Sequence, residues 1–160
     1  MGQKVLLNQM PIAIKDSKID ISSEETTKEL AKDLTHYLKG GEIVYLYGEM
    51  GVGKTTFVRH LINQFQKNKK LHITEVTSPT FNLLNEYDIN DLVIKHYDLF
   101  RLKDESEIKN LDLFENNQST ITLIEWPQLI SKNKSIKTID LIFSYENELN
   151  NRSVKIDGLN

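Results

Sequence analysis

The stretch Gly48-Glu49-Met50-Gly51-Val52-Gly53-Lys54-Thr55 constrains the fold of this chain more than any other. An almost unbroken apolar run, Glu42 to Tyr47, precedes it and reads as a buried strand of a parallel sheet. Beyond it, from Lys54 to about Gln66, Phe57, Val58, Leu61, Ile62 and Phe65 recur at helical spacing. Strand, glycine turn and amphipathic helix in that order give the pattern G-x-x-x-x-G-K-[ST] its required flanks. Glycines let the backbone take positive φ and approach a ligand with no Cβ in the way. Successive N–H groups then face inward as an anion nest, and the following helix adds the positive end of its dipole. Such a loop holds the phosphates of a nucleoside triphosphate. Gly48, Gly51, Val52 and Gly53 form the cradle, and Lys54 reaches the β- and γ-phosphates. The Thr55 hydroxyl takes a magnesium site, and Thr56 lies near the α-phosphate.

The rest of the chain supplies an α/β frame. Ser22 and Glu25 have capping-box spacing ahead of a helix whose inner face carries Thr27, Leu30, Ala31, Leu34 and Leu38, with Gly40-Gly41 as its stop. A short strand is expected somewhere within Gln3 to Ile21. Ile73 to Val76, Phe81 to Tyr87 and Leu92 to Asp98 read as strands, the last two joined at Asn90-Asp91. Asp104 to Phe114 reads as a helix capped by Asp104. Thr120 to Trp126 is a buried-type strand stopped by Pro127. Ile136 to Phe143 and Arg152 to Ile156 close the list. The expectation is one P-loop NTPase domain over residues 1–160, with a mixed, mainly parallel sheet flanked by helices. That length suits one core.

Two acidic residues end apolar-biased strands, where ligands bind in open α/β sheets. Asp98 follows Leu92 to Tyr97, and Glu125 follows Ile121 to Ile124. A P-loop enzyme needs a carboxylate opposite the loop for magnesium. Position alone does not say which of the two binds the metal and which orients the attacking water. His96 shares a strand face with Asp98 and reads as a hydrogen-bonded structural group or a catalyst. Arg101 follows that strand and suits a phosphate or a carboxylate partner. Trp126, the sole tryptophan, adjoins Glu125. The hydroxyls of Thr77, Ser78 and Thr80, around Pro79, could reach a γ-phosphate or the magnesium shell and sense hydrolysis.

Four segments in this order carry a resemblance: Gly48 to Phe57 (GEMGVGKTTF), Thr77 to Phe81 (TSPTF), His96 to Arg101 (HYDLFR) and Ile124 to Pro127 (IEWP). Together they resemble the bacterial tRNA threonylcarbamoyladenosine biosynthesis ATPases, the TsaE (YjeE) family. The resemblance implies a weak ATPase, stimulated by partners, that serves threonylcarbamoylation of adenosine 37 in tRNAs reading codons that start with A. The implied partners are the transferase subunit and its paralogous partner, with tRNA met only through that complex. ATP, ADP and Mg2+ are the implied cofactors. Residue by residue, it implies that Gly51 to Thr56 contact phosphates, Thr55 and Glu125 hold magnesium, and Asp98 is critical for hydrolysis. It also implies that Trp126 affects function and that Thr27 approaches the base. Four positions depart from the family pattern. Glu49-Met50 replaces Asp-Leu, Phe100 stands where tyrosine is common, and Asp112 stands where glycine is usual.

Other classes fit less well. The runs containing Lys67, Lys69 and Lys70, and Lys132, Lys134 and Lys137, read as solvated surface, and a net charge of −3 argues against a general nucleic-acid binder. The absence of cysteine excludes disulfides and thiolate metal sites. No signal-peptide core or membrane-length apolar run is evident, so a cytoplasmic protein is expected. A small-molecule P-loop kinase is the main alternative. It would clamp its substrate with clustered arginines, whereas Arg59, Arg101 and Arg152 are scattered. Neither Asn68-Lys69 nor Asn133-Lys134 continues to the aspartate of a guanine-specific motif.

Overall fold

The computed structural model describes residues 18–159 except 80, 116–117, 132–135 and 149. The elements are β1 (Lys18–Asp20), α1 (Glu24–Leu34), β2 (Ile43–Tyr47), α2 (Lys54–Asn68), β3 (Leu84–Ile89), β4 (Leu92–Asp98), α3 (Glu105–Ile108), β5 (Thr120–Glu125), β6 (Thr138–Tyr145) and β7 (Arg152–Asp157). The strands form one sheet in the order β1-β7-β6-β2-β5-β4-β3. Its centre, β6-β2-β5-β4, is parallel, while β1, β7 and β3 add antiparallel edges. The expected mixed sheet is therefore present.

Both faces of the central strands are covered, which is why β2 and β5 read as continuous apolar runs. Val44 and Leu46 point into a core shared with Leu30, Leu34, Phe57, Leu61 and Ile62 of α1 and α2. Ile43 and Tyr45 point the other way, against Tyr97, Leu99, Leu113 and Ile124. Phe57 also meets Phe143 edge-on at 6.0 Å.

Several expectations shift in detail. The cap of α1 is Ser23, one residue later than expected, and its hydroxyl accepts from the Thr26 N–H at 3.2 Å. Glu24 instead ties α1 to α2 through Arg59 and His60. Helix α1 stops at Leu34, and Gly40-Gly41 turn the chain into β2. Only the last part of Gln3 to Ile21 is described, and β1 lies there.

No strand forms over residues 71–79. There, Thr74 bonds to the side chains of Asn63 and Gln66, so α2 takes the polar groups that a ladder would have used. Strand β3 begins at Leu84 rather than Phe81. Leu83 closes a turn onto the Pro79 carbonyl with φ 66°.

The expected helix from Asp104 to Phe114 is short. Asp104 caps it, accepting from the Ser106 N–H at 2.8 Å. A 3-10 turn, Lys109–Leu111, follows, and Asp112 then takes the left-handed conformation at φ 52°. That conformation ends the helix and is one that glycine takes without strain, in keeping with the glycine that the resemblance implies here. Asp112 is solvent-exposed. Asp112→Gly is expected to raise the melting temperature by about 1–2 °C, because relieved strain outweighs the added chain entropy. Asp112→Val is expected to lower stability by about 1–2 kcal/mol. Equal melting curves for the two variants would contradict this account.

Candidate active site

The ends of β2, β4 and β5 converge on one edge of the sheet. The register sets Asp98 beside Glu125, and Glu125 beside Leu46, next to the loop. A cleft of about 320 Å³ opens there, lined by Gly51, Gly53, Lys54, Thr55, Thr56, Ser78, Asp98 and Glu125, with Met50, Phe100, Arg101, Trp126 and Arg152. Of the expected phosphate and carboxylate residues, Gly51, Gly53, Lys54, Thr55, Thr56, Asp98 and Glu125 are thus gathered in one place, while Gly48 does not line the cleft. Val52 belongs to the loop but buries its side chain in the core. Thr27 does not line the cleft. It is buried on α1 and donates to the Ser23 carbonyl at 3.4 Å. Thr80 lies outside the described residues.

The loop's glycines are needed for two different reasons. Gly48 has φ 146°, and a Cβ there would sit 2.9 Å from the Phe143 carbonyl oxygen. Gly53 has φ 117° and caps α2 with no side-chain bond, leaving the first helical N–H groups for a ligand. Lys54 is buried at the helix start. Its Nζ donates to the Gly48 carbonyl at 2.5 Å and lies 3.6 Å from the Trp126 ring centroid. Burial pushes the Lys54 pKa down, and the carboxylates of Glu125 and Asp98 push it back up.

Glu125 is the hub of the site. It is 2% exposed. The Thr55 hydroxyl lies 3.2 Å from each of its oxygens, and Oε2 also accepts from His96 Nε2 at 2.6 Å. Thr55 and Glu125 are the hard oxygen donors that magnesium takes. Among the described residues, no three His, Cys, Asp or Glu side chains cluster tightly enough to hold a metal by themselves. Magnesium takes one or two protein ligands and completes its shell with phosphate and water, and Thr55 and Glu125 supply that number. The residues present therefore fit the ion.

Asp98 is held from two sides. Ser78 Oγ donates to Oδ2 at 2.6 Å, and the Phe100 N–H donates to Oδ1 at 3.0 Å. The first bond brings the Thr77-Ser78-Pro79 segment to the cleft. Trp126 has φ 58°, a left-handed conformation that is uncommon for a bulky residue. It turns the indole from the end of β5 toward Lys54 and onto Phe100, with ring centroids 4.8 Å apart.

Tyr145, and a place at the site for Arg152, were not evident in the sequence. Arg152 starts β7, and its guanidinium comes within 3.6 Å of where a Cβ on Gly53 would lie. Tyr145 ends β6 and donates to the Met50 carbonyl at 3.4 Å. The only sequence signal for either was its place at the end of a strand; β6 and β7 form a local hairpin, but the parallel pairing of β6 with β2 that sets this hairpin beside the loop is not local. Arg101 and Arg152 both line the cleft, so their separation in sequence says little against a kinase.

The family model of the "Threonylcarbamoyl adenosine biosynthesis protein TsaE" matches residues 21–154. Several relatives carry the name tRNA threonylcarbamoyladenosine biosynthesis protein TsaE. The one from Rickettsia conorii is 44% identical over 110 residues, 69% of this chain and 61% of that protein. The match thus spans less than two thirds of that relative's length. The Rickettsia bellii relative is 44% identical over 115 residues, 72% of this chain and 77% of that protein. The Nostoc relative is 33% identical over 137 residues, 82% and 80% respectively. The crystal structure of Bacillus subtilis YdiB superposes with a TM-score of 0.67 at 21% identity, covering 91% of this chain and 87% of that one, and so shares the fold. No helix among the described residues is long and apolar enough to cross a membrane. The loop, the two strand-end carboxylates and these matches lead to one assignment: the chain belongs to the TsaE family of threonylcarbamoyl adenosine biosynthesis proteins, with the nucleotide-binding fold of a P-loop NTPase.

Proposed function

We propose that this chain is a magnesium-dependent ATP hydrolase that sustains threonylcarbamoylation of adenosine 37 in tRNAs reading codons that start with A. It does so by docking on the transferase subunit and its paralogous partner, and it meets tRNA through them, in the cytoplasm. Residues 1–160 act as one ATPase domain. The observation that carries the reading is the contact of Thr55 with Glu125, beside Lys54 and Asp98, at the N-terminus of α2.

In this reading the loop N–H groups and Lys54 hold the phosphates of ATP, and of ADP after cleavage. Thr55 and Glu125 hold magnesium. When bound, the ion neutralises charge on the β- and γ-phosphate oxygens. Asp98, fixed by Ser78 and the Phe100 N–H, accepts a hydrogen bond from water and aims it at the γ-phosphorus. Lys54 leaves the Gly48 carbonyl for the phosphates as the nucleotide enters.

A weak rate in isolation fits the rim of the cleft. Met50 is 64% exposed, Phe100 51% and nearby Phe81 84%. Apolar side chains left in water around a site suit a protein surface that closes over it. Adding the purified transferase complex is expected to raise ATP turnover on the order of 10-fold, within the usual range of coupling free energies. Asp98→Asn should still dock but lose both basal and stimulated turnover. A mixture with neither stimulation nor binding would remove the pathway reading and leave the P-loop reading intact.

A further inference from the structure

We propose that His96 is a positioning residue for the Glu125 carboxylate, and through it for the magnesium ion; this rests on the ATPase reading above. Three observations carry it. First, Thr55 Oγ1 is equidistant from the two Glu125 oxygens, at 3.2 Å each, so this contact alone selects no carboxylate orientation. Second, the terminal torsion of glutamate is broad, and the 2.6 Å bond from His96 Nε2 to Oε2 is the contact that breaks the symmetry. Third, His96 is fully buried on β4, and among the described residues its Nδ1 has no hydrogen-bond partner. A residue kept only for packing would be apolar, because an apolar side chain fills the same volume and leaves no polar atom unpaired. A carboxylate oxygen can only accept, so in this bond Nε2 donates to Glu125.

Magnesium demands near-ideal octahedral geometry, and partners that orient its ligands typically change affinity 10- to 100-fold. His96 therefore sets how tightly the site takes the metal, with little effect on the phosphates themselves.

The test is nucleotide binding by calorimetry, with ADP in excess EDTA and then across a magnesium titration, together with manganese binding to the ADP complex by electron paramagnetic resonance. In wild type, a magnesium dependence supports the ATPase reading, and its absence sinks that reading before His96 is considered. His96→Leu should raise the metal concentration for half-saturation by roughly 10- to 100-fold while leaving metal-free ADP affinity within about threefold. His96→Gln places an N–H donor near the position of Nε2 and should restore metal affinity to within about fivefold of wild type. The inference is overturned if His96→Leu leaves metal affinity unchanged. It is equally overturned if metal-free ADP affinity falls in step, or if His96→Gln folds and binds metal no better than His96→Leu. Should His96→Leu fail to fold, His96→Gln is compared with His96→Met on the same readouts, with the same outcomes deciding.

Discussion

A Lys54→Ala variant is expected to bind ATP on the order of 100-fold more weakly than wild type, because about 3 kcal/mol of charge-assisted bonding to two phosphates is lost. The fold supplies the reason that no neighbour compensates. Lys54 is buried at the start of α2, and its Nζ lies between the Gly48 carbonyl and the Trp126 ring. Arg101 and Arg152 line the same cleft, Arg101 beyond the end of β4 and Arg152 at the start of β7, whereas Lys54 alone stands at the start of α2. The pH dependence of binding has a definite sign. Burial lowers the Lys54 pKa, with Glu125 and Asp98 opposing, so the ammonium is lost earlier than an ordinary lysine's as pH rises. Wild-type affinity should therefore decline on the alkaline side, and the alanine variant should lack that limb. Isothermal calorimetry across pH checks both points. Unchanged affinity at neutral pH would end the phosphate-loop assignment.

The parts of this site that were legible in sequence are those whose chemistry and geometry are local. The loop is legible because glycine spacing, a lysine and a hydroxyl within eight residues suffice to build an anion nest. Asp98 and Glu125 are legible because each ends an apolar run, and parallel pairing of β4 with β5 then sets them side by side. The pairing of His96 with Glu125 was not legible, since it depends on the register of two strands rather than on either strand. Arg152 and Tyr145 were missed for a stronger version of the same reason, because their hairpin reaches the loop only through the parallel pairing of β6 with the distant β2. The strand expected at Ile73 to Val76 failed through competition. β-branched residues favour strands, but Asn63 and Gln66 on α2 bond Thr74 instead. Asp112 shows the reverse case. Its departure from a family glycine is a single-residue signal, and its φ of 52° identifies the backbone conformation behind it.

Glu125→Gln should cut ATP turnover by roughly 10²–10³-fold, about 3–4 kcal/mol of transition-state stabilisation, while metal-free ADP binding changes little. The amide is nearly the same size as the carboxylate, so packing around β5 is kept. What changes is the pattern of donors and acceptors. Glu125 accepts at both oxygens, from His96 at 2.6 Å and from Thr55 at 3.2 Å. Glutamine has one acceptor end and one donor end. If its oxygen faces the His96 N–H, its NH2 faces Thr55 and the place where a cation must sit. If it turns round, two buried donors oppose each other at His96. Either orientation removes the negative charge, and the first points positive hydrogens at the metal. Removing the charge also takes away one of the two carboxylates that oppose the burial of the Lys54 ammonium, so the Lys54 pKa should fall further in this variant. The discriminating measurement is paired: turnover against magnesium concentration, and ADP affinity in EDTA. Loss confined to the first identifies Glu125 as a ligand of the metal. Equal loss of both would mean that Glu125 shapes the loop itself, and the metal role would then pass to Asp98.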